Sequence, residues 1–524
     1  MKIPVPKRIL YLLVCLSLFD LSAEILAQTF PILADTIRAM NNLTLINHYG
    51  IIPTDTSISV LNSLITSSET VGTLLSLLFV IPLAETKGRK YLVIYIRSAL
   101  TMLTAVCQIS SAFFQATEFY ILSQFFYGLQ HPLRSFLTFM YVTECAPDKN
   151  RGFACTTLLI LNGIVKMIML PIASPSVFGK SDTWFVFPLT ALISNLLILV
   201  PVSKLPESPK WLVCQNRMTE AKESVEYYHG KDCFSSGVLM SLLKEKNLTV
   251  ESHVTLNQVW ENDTLREGFK VLFAFLFFFL LDSANVQSMY SVQLHQSVGF
   301  TVQEALNINL ILSIVFFPAQ FLSTVLLDWI GRRPVFFISA VLMYFASWIV
   351  LITQLIVFFV GPSLLTKIMY VSMECIGQIS SNTGVAILRI LFITELFPPS
   401  ARTSVSQAML FATLAMNSSL MSSFPVLFSF FPPGFFMPFV VTQLIFGVYM
   451  YKHMPETKGR TVCDIIESMD ENVMSRTATL VEEKIPLIKS RAWTLAAKRN
   501  SILNISRSRT LTYDQKYIPK NQIY

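Results

Sequence analysis

Apolar residues are distributed along this chain in blocks rather than stripes. The blocks run at 9-28, 57-83, 91-113, 119-142, 153-175, 184-203, 268-291, 304-327, 334-360, 368-394, 403-427 and 435-453. Most reach the ~20 residues a helix needs to cross the hydrocarbon of a bilayer. Within a run such as Val271 to Leu281 every face is apolar, so the alternation of a membrane β-barrel strand is missing. Helices satisfy their own backbone hydrogen bonds, which makes them the economical way through lipid. The pattern predicts an all-α membrane protein of twelve transmembrane helices.

Lys2, Lys7 and Arg8 followed by an apolar run and by Ser22 and Ala23 also resemble a secretory signal. Eleven further spans make such a signal redundant, and we read the first block as a span. Composition agrees: 53% of the 524 residues are hydrophobic and 14% are charged, against roughly 25% charged in a soluble globular chain. The net charge of +7 is concentrated in alternate loops, as positive-inside topology requires, and does not argue for nucleic acid. With the N-terminus inside, the inner loops hold Lys87, Arg89, Lys90, Lys149, Arg151, Arg332, Arg333, Arg402, Lys458 and Arg460. The outer loops hold little beyond Arg38, Lys180 and Lys367. This predicts cytosolic termini and a multi-pass protein of the plasma membrane. It also places the sequon Asn42-Leu43-Thr44 outside, where Asn42 could carry an oligosaccharide. The eight cysteines lack zinc-ligand spacing with nearby histidine and indicate neither a metal site nor a disulfide framework. No residue pattern calls for a cofactor.

Three loop motifs recur in order after about 250 residues, which predicts two six-helix pseudo-repeats. Glu85-Thr86-Lys87-Gly88-Arg89-Lys90 matches Asp328-Trp329-Ile330-Gly331-Arg332-Arg333. The stretch from Glu144 to Arg151 matches that from Glu395 to Arg402. Pro206-Glu207-Ser208-Pro209-Lys210 matches Pro455-Glu456-Thr457-Lys458-Gly459. Clustered acids and guanidinium groups at one end of both halves can form charge-assisted hydrogen bonds, so we expect a cytoplasmic gate that latches the halves together. The domain division is 1-205 for one half, 206-267 for a cytosolic linker with short helices, 268-453 for the second half and 454-524 for a basic tail. In the linker, Met218, Ala221, Val225 and Tyr228 alternate with charges as on an amphipathic helix. The tail has no apolar core and could touch anionic lipid.

Together these loops resemble the sugar porter family of the major facilitator superfamily. The resemblance rests on Leu205-Pro-Glu-Ser-Pro-Lys-Trp-Leu212, Tyr141-Val-Thr-Glu-Cys-Ala-Pro147 with Arg151-Gly152, and Pro455-Glu-Thr-Lys-Gly-Arg-Thr461. It covers residues 9 to 465 and implies alternating access about a midplane cavity with a small-molecule substrate. In that register Asn285, Tyr290 and Asn417 fall on substrate-binding positions of the family. Phe279, Leu280, Phe316, Asn382 and Ile390 replace polar or aromatic sugar-contacting groups. Leu159 or Leu161 likewise stands where the fifth span would carry a glutamine. A buried polar group deprived of its partner costs ~1-3 kcal/mol, so a hexose held in the family's usual pose would bind poorly.

Ionisable residues inside spans are functional candidates by default. The chain offers Asp20, Glu24, Arg97, Arg134, Lys166, Asp282 and Arg389. The resemblance puts Asp20 near a proton-binding aspartate whose arginine partner here reads Gln124, with Arg134 a few turns away. Asp282 and Arg389 replace uncharged residues and suggest a charged or zwitterionic solute, or else a mutual ion pair. The leading expectation is transport of a sugar or polyol by facilitated diffusion. An organic ion transporter of the same superfamily and a non-transporting receptor or scaffold are the alternatives. No nucleophile, base and orienting residue form a set, so an enzyme is not expected.

Overall fold

The computed structural model describes residues 7–147, 151–173, 177–230, 237–240, 242–243, 255–381 and 399–457, with 388, 392, 396 and 397 between the last two. Among them no β-strand occurs. The first three spans are Lys7–Ile32, Asp55–Val80 and Tyr91–Phe114. The fourth runs over 117–145, and the fifth and sixth are Arg151–Ile172 and Val186–Ser203. The second half begins with Asp263–Ser297, then Val302–Ile330 and Arg332–Val360. Its tenth span opens with Leu364–Ser380, and Pro399–Phe430 and Pro432–His453 complete the twelve. Nine of these are long and apolar enough to cross a bilayer on that measure alone. Exposed Leu196, Leu197, Val200, Phe359 and Val360 are the sort of surface that lipid, not water, covers.

Each half is held by its own helix pairs, with the first span against the fifth and sixth, the second against the fourth, and the ninth against the tenth and twelfth. The halves meet where the second span packs on the eleventh, the fifth on the eighth and the first on the seventh. The apolar core follows this division. On the face carrying the repeated loops, here the motif face, there is one cluster around Tyr141, Leu137 and Val202 and another around Phe275, Phe336 and Met450. The first lies wholly in residues 9–228 and the second in 259–454. On the opposite face a single cluster takes Phe30, Ile37 and Trp184 from one half and Tyr290, Phe424 and Phe436 from the other. The molecule is therefore closed at the opposite face and parted at the motif face.

Breaks in the helices position the interior. Pro132 has no N–H to give to the Gly128 carbonyl, and that carbonyl instead accepts the Thr73 hydroxyl of the second span at 3.3 Å. One turn of π-helix, Leu133–Leu137, follows immediately and contains Arg134. The seventh span breaks at Leu281 and Asp282 and kinks again at Tyr290. The first outside connection is largely the helix Ala34–Asn47, and Asn42, the candidate oligosaccharide acceptor, lies within it with its amide oxygen buried.

Glycine sets the closest helix approach. A Cβ on Gly128 would run into the backbone oxygen of Glu69, and one on Gly72 into the backbone of Phe125. Gly128→Ala is expected to cost about 1–3 kcal/mol by forcing these spans apart. Gly377→Ala, with open space around it, should change stability by less than about 1 kcal/mol in either direction. Thermal denaturation of the detergent-purified protein measures both, and equal shifts would contradict the close approach.

Candidate substrate cavity and loop clasps

The repeated loops close within each half. Glu207 accepts hydrogen bonds from the backbone N–H groups of Lys90 and Ser208, each at 2.9 Å. Glu456 accepts from the N–H groups of Arg332 and Arg333 at 3.1 and 3.0 Å. Each glutamate thus caps the N-terminus of the third or ninth span, where free N–H groups and the helix dipole favour an anion. Gly88 and Gly331, at φ of 102° and 111°, turn the chain so that the carboxylate can reach, and a side chain at Gly88 would strike the Glu207 carboxylate. Arg89 Nε lies 3.3 Å from Glu144, and the Ser208 hydroxyl donates to the same carboxylate. The Glu85 carbonyl takes Trp211 Nε1 at 2.8 Å. Arg333 donates to the Tyr451 carbonyl at 3.0 Å.

Each of these contacts lies within one half; the expected latch between halves belongs to a state closed at the motif face. Residues Arg389, Glu395 and Lys458 lie outside the described residues, as do the side chains of Arg151, Asp328 and Arg402. The linker helix Met218–His229 buries Ala221, Val225 and Tyr228 as the pattern predicts, and Tyr228 donates to the Pro206 carbonyl at 3.0 Å.

In the interior of the first half, Asp20 lies between two guanidinium groups. Arg97 bonds one carboxylate oxygen, and Arg134 Nε stands 3.1 and 3.2 Å from the two. Arg134 also bonds Glu24, and Arg97 reaches the Thr138 hydroxyl at 3.2 Å. Arg134 is therefore a full partner of Asp20, although it stands a few turns from the position of the family's arginine. The π turn after Pro132 explains the difference, because it shifts the face of the fourth span that points inward.

The seventh span also reads differently. Asn285 Nδ2 donates to the carbonyls of Phe279 and Leu280 at 2.8 and 2.9 Å. Gln443 takes the Leu281 carbonyl at 3.1 Å. Asn285 thus spends its amide N–H groups on the broken helix, leaving only its oxygen for a solute. Asp282, expected to line the cavity, is 2% exposed and sits at the N-cap of the half-helix Ser283–Ser297, where the dipole suits a carboxylate. Tyr290 donates to the Met421 carbonyl at 2.8 Å and packs between Phe30 and Phe424, so it belongs to the closed face. Asn417 is half-buried next to Ser418, whose carbonyl takes the Thr70 hydroxyl of the other half at 3.1 Å.

Two groups escaped the sequence reading. Glu374 of the tenth span bonds Gln287 and lies 3.2 Å from His295 Nε2, both side chains fully buried. Glu69, at the middle of the second span, has no hydrogen bond or ion pair among the described residues. It sits in the polar run Thr66-Ser67-Ser68-Glu69-Thr70, which reads as helix–helix packing and hides the acid.

A family model described as "Sugar (and other) transporter" matches residues 35–468. The chain belongs to this family. It is 25% identical over 421 residues to the facilitated glucose transporter member 4 of solute carrier family 2 from Bos taurus, covering 79% of this chain and 80% of the relative. It is 23% identical over 430 residues to the putative metabolite transport protein YncC of Bacillus subtilis (strain 168), covering 80% and 87%. In fold it matches the proton:xylose symporter XylE bound to 6-bromo-6-deoxy-D-glucose, with a TM-score of 0.66, 15% identity, and coverage of 88% and 99%. A member of this family with these twelve spans is a membrane transporter and not an enzyme.

Asp20→Asn removes the carboxylate that faces buried Arg97. A loss of roughly 3–5 kcal/mol is expected, and a change in thermal denaturation equivalent to under about 1 kcal/mol would refute the pairing. At the clasp, burial pushes the Glu207 carboxyl above the ordinary glutamate value, only partly offset by the two N–H groups it accepts. A raised value means its stabilising contribution is complete below the unfolded value and is lost as pH rises through the folded one. Glu207→Gln keeps an acceptor and should flatten that decline, which sets in above the unfolded glutamate value of about 4.3, whereas Glu207→Ala should cost about 1–3 kcal/mol. Identical pH profiles for wild type and Glu207→Gln would refute this.

Proposed function

We propose that the protein carries a sugar or related polyol across the plasma membrane by facilitated diffusion, with residues 1-205 rocking against 268-453. The motif face is cytosolic in this reading, since it holds the arginine-rich loops, and both termini lie on that side. The observation that carries the proposal is the split core: one apolar cluster shared by both halves at the opposite face and two separate clusters at the motif face. That is the packing of a two-half carrier caught open to one side. Membership of the sugar (and other) transporter family, and a relative named for facilitated glucose transport, supply the solute class.

Uniport is separated from proton coupling at Asp20, whose acid–arginine pairing with Arg97 and Arg134 is compatible with either, by the response to a pH gradient. Counterflow of labelled hexose in proteoliposomes of the purified chain is expected without a pH gradient, and an imposed gradient should leave the plateau unchanged. Retained binding with no flux would replace the transport reading with that of a receptor. Uptake of charged solutes alone would replace the sugar.

A further inference from the structure

The acids inside the first half are not all paired among the described residues. Asp20 and Glu24 are met by Arg97 and Arg134, whereas Glu69 has no cation among those residues, outside which the side chain of Lys166 lies. A lone carboxylate at mid-span is costly and marks a solute or ion path. Its surroundings are specific. The Glu69 backbone packs against Gly128 of the fourth span, at the seam where the second span meets the eleventh. The next residue, Thr70, makes the cross-half bond to Ser418. The residue is half-buried, which fits a crevice wall.

The neighbouring hydroxyls are committed elsewhere. Tyr290 donates to the Met421 carbonyl and Tyr120 shares a hydrogen bond with Thr29 at 3.0 Å. A half-buried acid with no cation beside it among the described residues is a setting that holds an ammonium group by charge-assisted hydrogen bonding. Asn285 has spent its donors on the helix break.

We infer that Glu69 is a subsite for a cationic group of the transported solute, so that the carrier prefers an amino-bearing sugar or small organic ammonium over its neutral counterpart. This rests on the transport reading above. It also names a residue that reading does not use. The solute's ammonium would supply a countercharge absent among the described residues, as the Asp20 cluster supplies its own.

The test uses the full chain, purified in detergent and reconstituted in proteoliposomes, with D-glucose, D-glucosamine and choline as probes. At a pH where glucosamine is protonated, it should displace labelled glucose from the wild type at a concentration about tenfold lower than unlabelled glucose does. Glu69→Gln should bring that ratio close to one. If the variant fails to fold, competition by choline on the wild type still decides, since inhibition of glucose counterflow by choline is expected. A ratio near one in the wild type, or a ratio unchanged in Glu69→Gln, overturns the inference while leaving glucose transport standing. Glu69-dependent choline binding without any sugar binding sustains Glu69 and overturns the sugar reading. Absence of binding by all three probes overturns both.

Discussion

Hydrocarbon supplies no water, so every backbone group that a helix break sets free must be met by protein. Much of this molecule's individuality follows from how its side chains meet that demand. Thr73 takes the carbonyl that Pro132 orphans, Asn285 and Gln443 take three carbonyls at the break of the seventh span, and Glu207 and Glu456 take N–H groups at two helix starts. Each is a polar residue that a reading by residue type alone would give to the solute or to a gate. The breaks in turn create the interior, since the π turn after Pro132 aims Arg134 at Asp20 and the break at Asp282 frees the half-helix that carries Tyr290.

Charge follows the same economy. Four ionisable groups in the first half neutralise one another within hydrogen-bond reach, so they can be kept in a low-dielectric interior with their lone pairs and protons engaged. Their closure makes Glu69 conspicuous, because the carboxylate at the seam between the halves has no cation among the described residues. The His295–Glu374 pair is a different case. It joins the seventh span to the tenth inside one half, and its neighbours Tyr370 and Phe300 seal it in aromatic rings.

The fold was legible in the chain because two independent periodicities agree. Span-length apolar blocks give the number of helices, and loop motifs returning after about 250 residues give the halves. The partners of the loop acids were not legible. A glutamate three loops away from a glycine-arginine turn can cap a helix of its own half or reach across, and only the packing decides. Asp20 was recognised and its partner underestimated, since an alignment by spacing cannot see a π turn that rotates Arg134 inward. Asn285 and Tyr290 were placed on the correct helix, but the chain itself uses them, one on the break and the other in the closed face. Glu69 was missed because four hydroxyl residues around it make the segment look like ordinary packing surface.

The closed face indicates how such a carrier can afford to move. Across the seam the seventh span touches the first through Phe30 edge-on to Tyr290, with ring centroids 5.7 Å apart, and touches the helix Ala34–Asn47 through Gln296 bonded to Asp35 at 2.8 Å on the exposed rim. Within its own half it is bound much more heavily, by Gln287 and His295 to Glu374, Ser291 to Asn309 and Tyr290 to Met421. Opening this face therefore breaks that aromatic contact, of the order of 0.5–1.5 kcal/mol, and a solvated hydrogen bond, together with the packing of the second span on the eleventh and its Thr70–Ser418 bond. The polar tethers of the seventh span would travel with the eighth, tenth and eleventh spans as one body. Polar ties of the seventh span that stay within its own half leave mainly apolar packing to be exchanged across the seam, so that a solute of modest differential affinity can shift one conformation into the other.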